Sequence, residues 1–185
     1  MTSDISKNIA QTGWVVGRTL PLIKDKNYRN SITTAVKAYR ETINQQEKET
    51  PYGVPYKPDI WGAGWGIQSF GVEQYFLHTG FPDIFPRNYM LHAMNFILGV
   101  HPGFNTTSFA SGVGARSLTV AYGNNRDEWS YIPGGVGSGT ALIRPDYPEL
   151  LEWPYLWQQT EYVLGGGSSN YMFLVLAADH LLSKK

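Results

Sequence analysis

An all-α domain is the fold this chain predicts. Three observations carry that expectation. Apolar residues recur at helical spacing over residues 28–48 and again after Pro86. Stretches rich in proline and glycine separate the periodic segments. There is no alternation of strands with helices, no Walker loop and no dinucleotide fingerprint. The expected arrangement is helices in antiparallel pairs, with long glycine-rich loops at one end.

The elements follow in order. Ile32, Val36, Tyr39 and Ile43 form one stripe of a helix at 28–48, with Lys37, Arg40, Glu41 and Gln45 off it. Pro51, Gly53, Pro55 and Pro58 then impose a loop. A second helix is expected from about Trp61 to His78. Gly62, Gly64, Gly66 and Gly71 lower its propensity and suit the close approach of another helix or a ligand. Gly80-Phe81-Pro82 ends it, and Pro86 opens a third helix with the stripe Tyr89, Met90, Ala93, Met94, Ile97 and Leu98.

From Gly99 to Gly139 the periodicity is lost. A loop this long in a compact domain is usually functional or disordered. Phe104, Phe109, Tyr122, Trp129 and Tyr131 weigh against disorder, and a short β-ribbon is expected near Leu118–Tyr122. A fourth helix is expected from Pro154 through Leu156, Thr160 and Val163, stopped by Gly165-Gly166-Gly167. Ser168-Ser169-Asn170 should cap a last helix, apolar nearly all round from Tyr171 to Ala178 and therefore buried.

Composition narrows the partners. With 15 basic and 15 acidic residues among 185, the chain lacks the basic face that nucleic acid requires. No apolar run reaches the ~18 residues of a membrane span. There is no cysteine, and His78, His92, His101 and His180 have no metal-pair spacing, so neither a metal nor another cofactor is expected. Ser108 and Ser111 lack a nucleophile elbow. Met1–Lys7 shows no charged segment followed by an apolar one, so no signal peptide is read there.

The chemistry concentrates near the C-terminus. Glu161 sits among Trp157, Gln158, Gln159 and Tyr162, just before the glycine run. A carboxylic acid in apolar surroundings keeps its proton to higher pH, as a general acid must. By residue type alone, a glutamate paired with arginine or facing water is the first reading; the aromatic flank narrows that gap. Asn124, Arg126 and Trp129 offer the amide, guanidinium and indole groups that read sugar hydroxyls and stack on pyranose faces, although Arg126 with Asp127 and Glu128 is equally a surface cluster. Residues 99–114 are small and polar enough to line a cleft, but alone they read as an ordinary loop.

Taken together, these segments resemble the C-terminal half of the catalytic domain of glycoside hydrolase family 9, the cellulase-type enzymes. Trp61-Gly62 is similar to that family's Trp-Gly helix start, and Asn95–Pro102 to its "YILGxNP" helix end. Ser108–Gly114 resembles "SFVTGFG", Asn124-Asn125-Arg126 stands where the family has "HHR", and Tyr131–Gly135 resembles "LVGGP". Thr160-Glu161 stands where it has Asn-Glu, the general acid. The likeness covers about Tyr52 to Leu182. Asn124 replaces a family His, Thr160 an Asn, and Trp65 stands near a frequent Arg, which marks a divergent branch.

The resemblance implies part of an (α/α)6 toroid, with residues 1–185 a single partial domain, and an inverting hydrolase of β-glucan or related carbohydrate. It implies Glu161 as general acid, Trp61, Trp65, Asn124, Arg126, Trp129 and Trp157 as substrate-binding residues, and a secreted or periplasmic location. The family's Asp-x-x-Asp motif, which supplies the base, does not occur among the aspartates here. The expectation is a fragment that carries the acid side of the site and self-associates through uncovered helix faces. A non-catalytic carbohydrate-binding or structural α/α module, or a helical protein-interaction domain, are the competing expectations.

Overall fold

The computed structural model describes residues 12–49, 54, 63–100, 106, 108–117, 121, 122, 129–137 and 166–183. These residues form an all-α fold. Helix α1 spans residues 12–19 and runs into a 3-10 turn, Leu20–Leu22, that holds Pro21 at its start. Helix α2 is Lys26–Glu49, α3 Ala63–Gly80, α4 Asn88–Ile97 and α5 Gly166–Ser183. Asp25 opens α2, where its Oδ1 accepts the Tyr28 N–H at 3.0 Å. The expected stripe is buried: Ile32, Val36 and Ile43 on α2, and Tyr89, Met90, Ala93, Met94 and Ile97 on α4.

Side-chain contacts fix the helix directions. Gly71 lies against Ala93, and His78 Nδ1 is 2.7 Å from the Phe85 carbonyl, so α3 and α4 are antiparallel. Asn170 donates to Ser69 Oγ at 3.3 Å and Leu174 packs on Gly71, so α5 runs in the same sense as α3. Arg87 donates to the Leu181 carbonyl at 3.1 Å, opposing α4 to α5. Gly13 meets Glu73 and Leu77, and Gly17 meets Phe76 and Gly80, which aligns α1 with α3. Tyr39 packs on Phe85 and Glu47 bonds Tyr89, which aligns α2 with α4. The result is two rows of opposite sense, α1–α3–α5 and α2–α4. One core fills the space among α2, α3 and α4; the other lies between α4 and α5.

The last helix differs from the expectation twice. It begins at Gly166, so Ser168, Ser169 and Asn170 lie inside it rather than capping it. Packing decides this: Gly167 is buried and Asn170 is tied to α3. The helix is also not buried all round. Leu174, Ala177 and Leu181 face the core, whereas Met172, Leu176 and Leu182 are 62 %, 66 % and 62 % exposed. An apolar sequence bars water from a helix only where a neighbour exists, and the described residues supply neighbours on one side.

The short ribbon is present, as Ala121–Tyr122 paired antiparallel with Trp129–Ser130. The helix expected at Pro154–Val163 lies outside the described residues. Among the described residues no helix is long and apolar enough to cross a membrane.

Gly71 shows why α3 tolerates its glycines. A Cβ there would stand 2.9 Å from Leu174 Cδ2 and 3.1 Å from the Ala93 Cβ. Gly71→Ala should therefore cost about 1–3 kcal/mol, the usual cost of overpacking a core. Urea denaturation measures it, and adding Leu174→Ala should recover part of the loss if the clash is the cause.

Candidate functional site

The alternating rows bring several chain segments to one end. The N-terminal ends of α3 and α5 and the C-terminal end of α4 lie there, because α4 opposes both. The described helix ends that flank residues 50–62, 98–117 and 138–165 meet at this end.

The loop after α4 is tightly held. Gly99 turns with φ 71° and a Cβ on it would collide with the Thr106 carbonyl. Phe109 N–H bonds the Ile97 carbonyl at 2.8 Å and Ala115 N–H bonds Leu98 at 2.8 Å, tying both arms of the loop to the helix end. Ser108 is buried; its Oγ donates to the Ala110 carbonyl at 3.0 Å and accepts the Ala110 N–H at 3.1 Å. Gly114 packs on Ser108 with φ 89°, and Phe109 meets Phe96 edge to face at 5.6 Å. A second layer joins it: Ser111 and Gly135 bond through Ser111 N–H at 2.9 Å, and Gly137 N–H bonds Phe109 at 2.7 Å. The Ser108–Gly114 and Tyr131–Gly135 segments therefore form one platform. The Tyr131 side chain lies over Gly112 and is exposed.

Of the sequence-predicted residues, Trp65 is described. It lies in the first turn of α3, at the loop end, and is 36 % exposed. Trp129 contributes its backbone to the ribbon, opposite Tyr122. Trp61, Asn124, Arg126, Trp157 and Glu161 lie outside the described residues.

The sequence reading missed a buried acid. Glu73 is buried on α3 beneath Gly13 and bonds the Tyr39 hydroxyl, while its Oε1 has no partner. Burial pushes its carboxyl up to about 8, against the opposing effect of the Tyr39 bond. Burial, reinforced by Glu73, likewise raises the Tyr39 hydroxyl far above its ordinary range. Gln68 and Gln74 on the same helix are fully buried with unpaired amides. A signal for Glu73 existed: it stands three residues after Phe70 and four before Leu77, both buried.

Glu73 is not a substitute for the missing base. A carboxyl protonated up to pH about 8 does not accept a proton at neutral pH. It also lies eight residues along α3 from Trp65, roughly 12 Å from the loop end. On the other side of the core, Tyr89 accepts a hydrogen bond from Arg40 and donates to Glu47 Oε2 at 3.0 Å, tying α4 to α2. Burial raises the Tyr89 hydroxyl, and the Arg40 bond opposes that.

Among the described residues no group of three or more His, Asp or Glu side chains is arranged to hold a metal ion. No family model, curated protein or solved structure matches the chain.

Proposed function

We propose that this chain carries the acid half of a family 9-like glycoside hydrolase site, built on part of an (α/α)6 toroid. Glu161 protonates the leaving oxygen of a β-glucan or related glycoside. Asn124 and Arg126 bind sugar hydroxyls, and Trp61, Trp65, Trp129 and Trp157 stack on ring faces. The reaction is single displacement with inversion, in which a base set roughly 6.5–9.5 Å from the acid activates water. That base is not part of an Asp-x-x-Asp motif in these residues.

The observation that carries the reading is the order of the motifs: six segments recur in the family's sequence order between Trp61 and Glu161. Two features are compatible with it. The helices alternate in two rows, as in an α/α ring, and the flanks of the motif-bearing loops share one end. A second reading, a carbohydrate-binding module without chemistry, is favoured by the absent Asp-x-x-Asp.

A glycan-binding screen with hydrolysis measured in the same samples separates the readings. Inverting turnover once a base-carrying half is supplied supports the enzyme, and binding without turnover in that same assembly supports the module. Trp129→Ala should weaken sugar binding with little change in melting temperature. A loss of ~3–5 kcal/mol in stability would place that indole in a core instead. No sugar bound by the intact protein would reject both readings.

A further inference from the structure

We propose that α1 is a latch on this domain: it stays docked on α3 while the Glu73 carboxyl is uncharged and lifts away when that carboxyl ionises. The crossing has an unusual construction. Helix α1 meets α3 closely through Gly13 and Gly17, with the Arg18 side chain over the Phe76 ring beside them. A Cβ on Gly13 would stand 2.6 Å from Glu73 Cγ, and one on Gly17 would collide with the Phe76 carbonyl oxygen. Backbone at Gly13 thus packs directly on the Glu73 side chain.

The carboxyl of that side chain is poorly provided for. Among the described residues the Tyr39 hydroxyl is the group that favours its ionised form, and Oε1 has no hydrogen-bond partner. An uncharged acid tolerates this arrangement. A carboxylate, with about four acceptor sites, does not, and an unpaired buried charge is strongly destabilising.

Several charged and titratable groups on the surrounding elements have partners of their own. On α1, Arg18 lies over the Trp14 and Phe76 rings, at 5.9 and 5.8 Å. On α2, Tyr39 is held uncharged by burial and Arg40 lies over the Tyr89 ring at 4.5 Å. On α3, His78 bonds the Phe85 carbonyl. At the start of α4, Arg87 bonds the Leu181 carbonyl, and on α4 Tyr89 bonds Glu47.

An ionised Glu73 must therefore reach water, and the walls around it differ in strength. Helices α2, α3 and α4 share the main core. Helix α1 adds only the partly buried Val16 to it, followed by Leu20 in the adjoining turn, and leaves Trp14 and Val15 exposed. Local opening follows the weakest contact, so α1 is the wall that moves. The carboxyl titrates near 8, which puts the switch within reach of ordinary buffers.

Hydrogen exchange read by mass spectrometry on the intact chain tests this from pH 6.5 to 9.5, corrected for the intrinsic pH dependence of exchange. Above the transition, protection of residues 12–20 should fall about tenfold per pH unit, while α4 keeps its protection. Glu73→Gln should keep α1 protected throughout. Tyr39→Phe removes a bond that favours the ionised form, so it should move the transition to higher pH. If Glu73→Gln does not fold, the direction of the Tyr39→Phe shift decides. The proposal is overturned if Glu73→Gln opens as the parent does, if Tyr39→Phe leaves the transition unmoved or lowers it, or if α1 and α4 lose protection together.

Discussion

In a full-length protein that also carries the base, Glu161→Gln is expected to lower hydrolysis of unactivated β-glycosides by about two to four orders of magnitude, the usual contribution of a positioned general acid. Sugar binding should persist, because glutamine preserves shape and polarity but has no proton of suitable acidity to give. The effect should depend on the leaving group. An aryl glycoside with a good leaving group needs little protonation, so its turnover should fall much less. Equal losses on both substrates would remove Glu161 from the acid role. The substrate comparison separates chemistry from misfolding, since a misfolded protein loses both activities alike and loses binding too.

The second large effect is on stability against pH. Glu73 ionises near its ordinary 4.5 in an unfolded chain but near 8 when folded. Below about pH 4.5 both states hold the proton and its contribution is fully present. Between about pH 4.5 and 8 only the folded state keeps the proton, so stability falls as pH rises, levelling off beyond that. The full shift corresponds to roughly 3–5 kcal/mol, and release of α1 would cap it. Other carboxylates act in parallel, so the informative quantity is the difference between parent and Glu73→Gln in urea denaturation at pH 5, 7 and 9. That difference should move in favour of Glu73→Gln as pH rises. A constant difference would show that Glu73 reaches solvent or a cation in the folded protein.

Self-association bears on the exposed stripe Met172, Val175, Leu176 and Leu182. An apolar face of this kind is a candidate contact surface. The face belongs to a helix whose sequence had promised burial on every side.

How much was legible in the sequence follows from the range of the forces involved. Helix type, number of residues per stripe and the position of breaks are local: Ile32, Val36 and Ile43 repeat at the period of one helix, and Pro51, Pro55 and Pro58 interrupt it regardless of surroundings. The loop platform was partly legible too, since Gly99 and Gly114 mark backbone turns that side chains rarely adopt. The start of α5 was not legible. Gly166 and Gly167 read as a break because propensity is local, and contact with α3 overrode it.

The chain alone determined an all-α domain with neutral charge, its stripes and the loops that separate them, because backbone sterics and hydrophobic periodicity act within a few residues. Tertiary structure alone decided which faces are covered. It put Leu174 on Gly71 and left Leu176 in water, though both are leucines on one apolar helix. It also made Glu73 a buried acid, with Gly13 of α1 packed on its side chain. Burial and the shift of a carboxyl depend on what other segments bring into contact, and contacts between residues as distant as Gly13 and Glu73 exist only once the chain has folded.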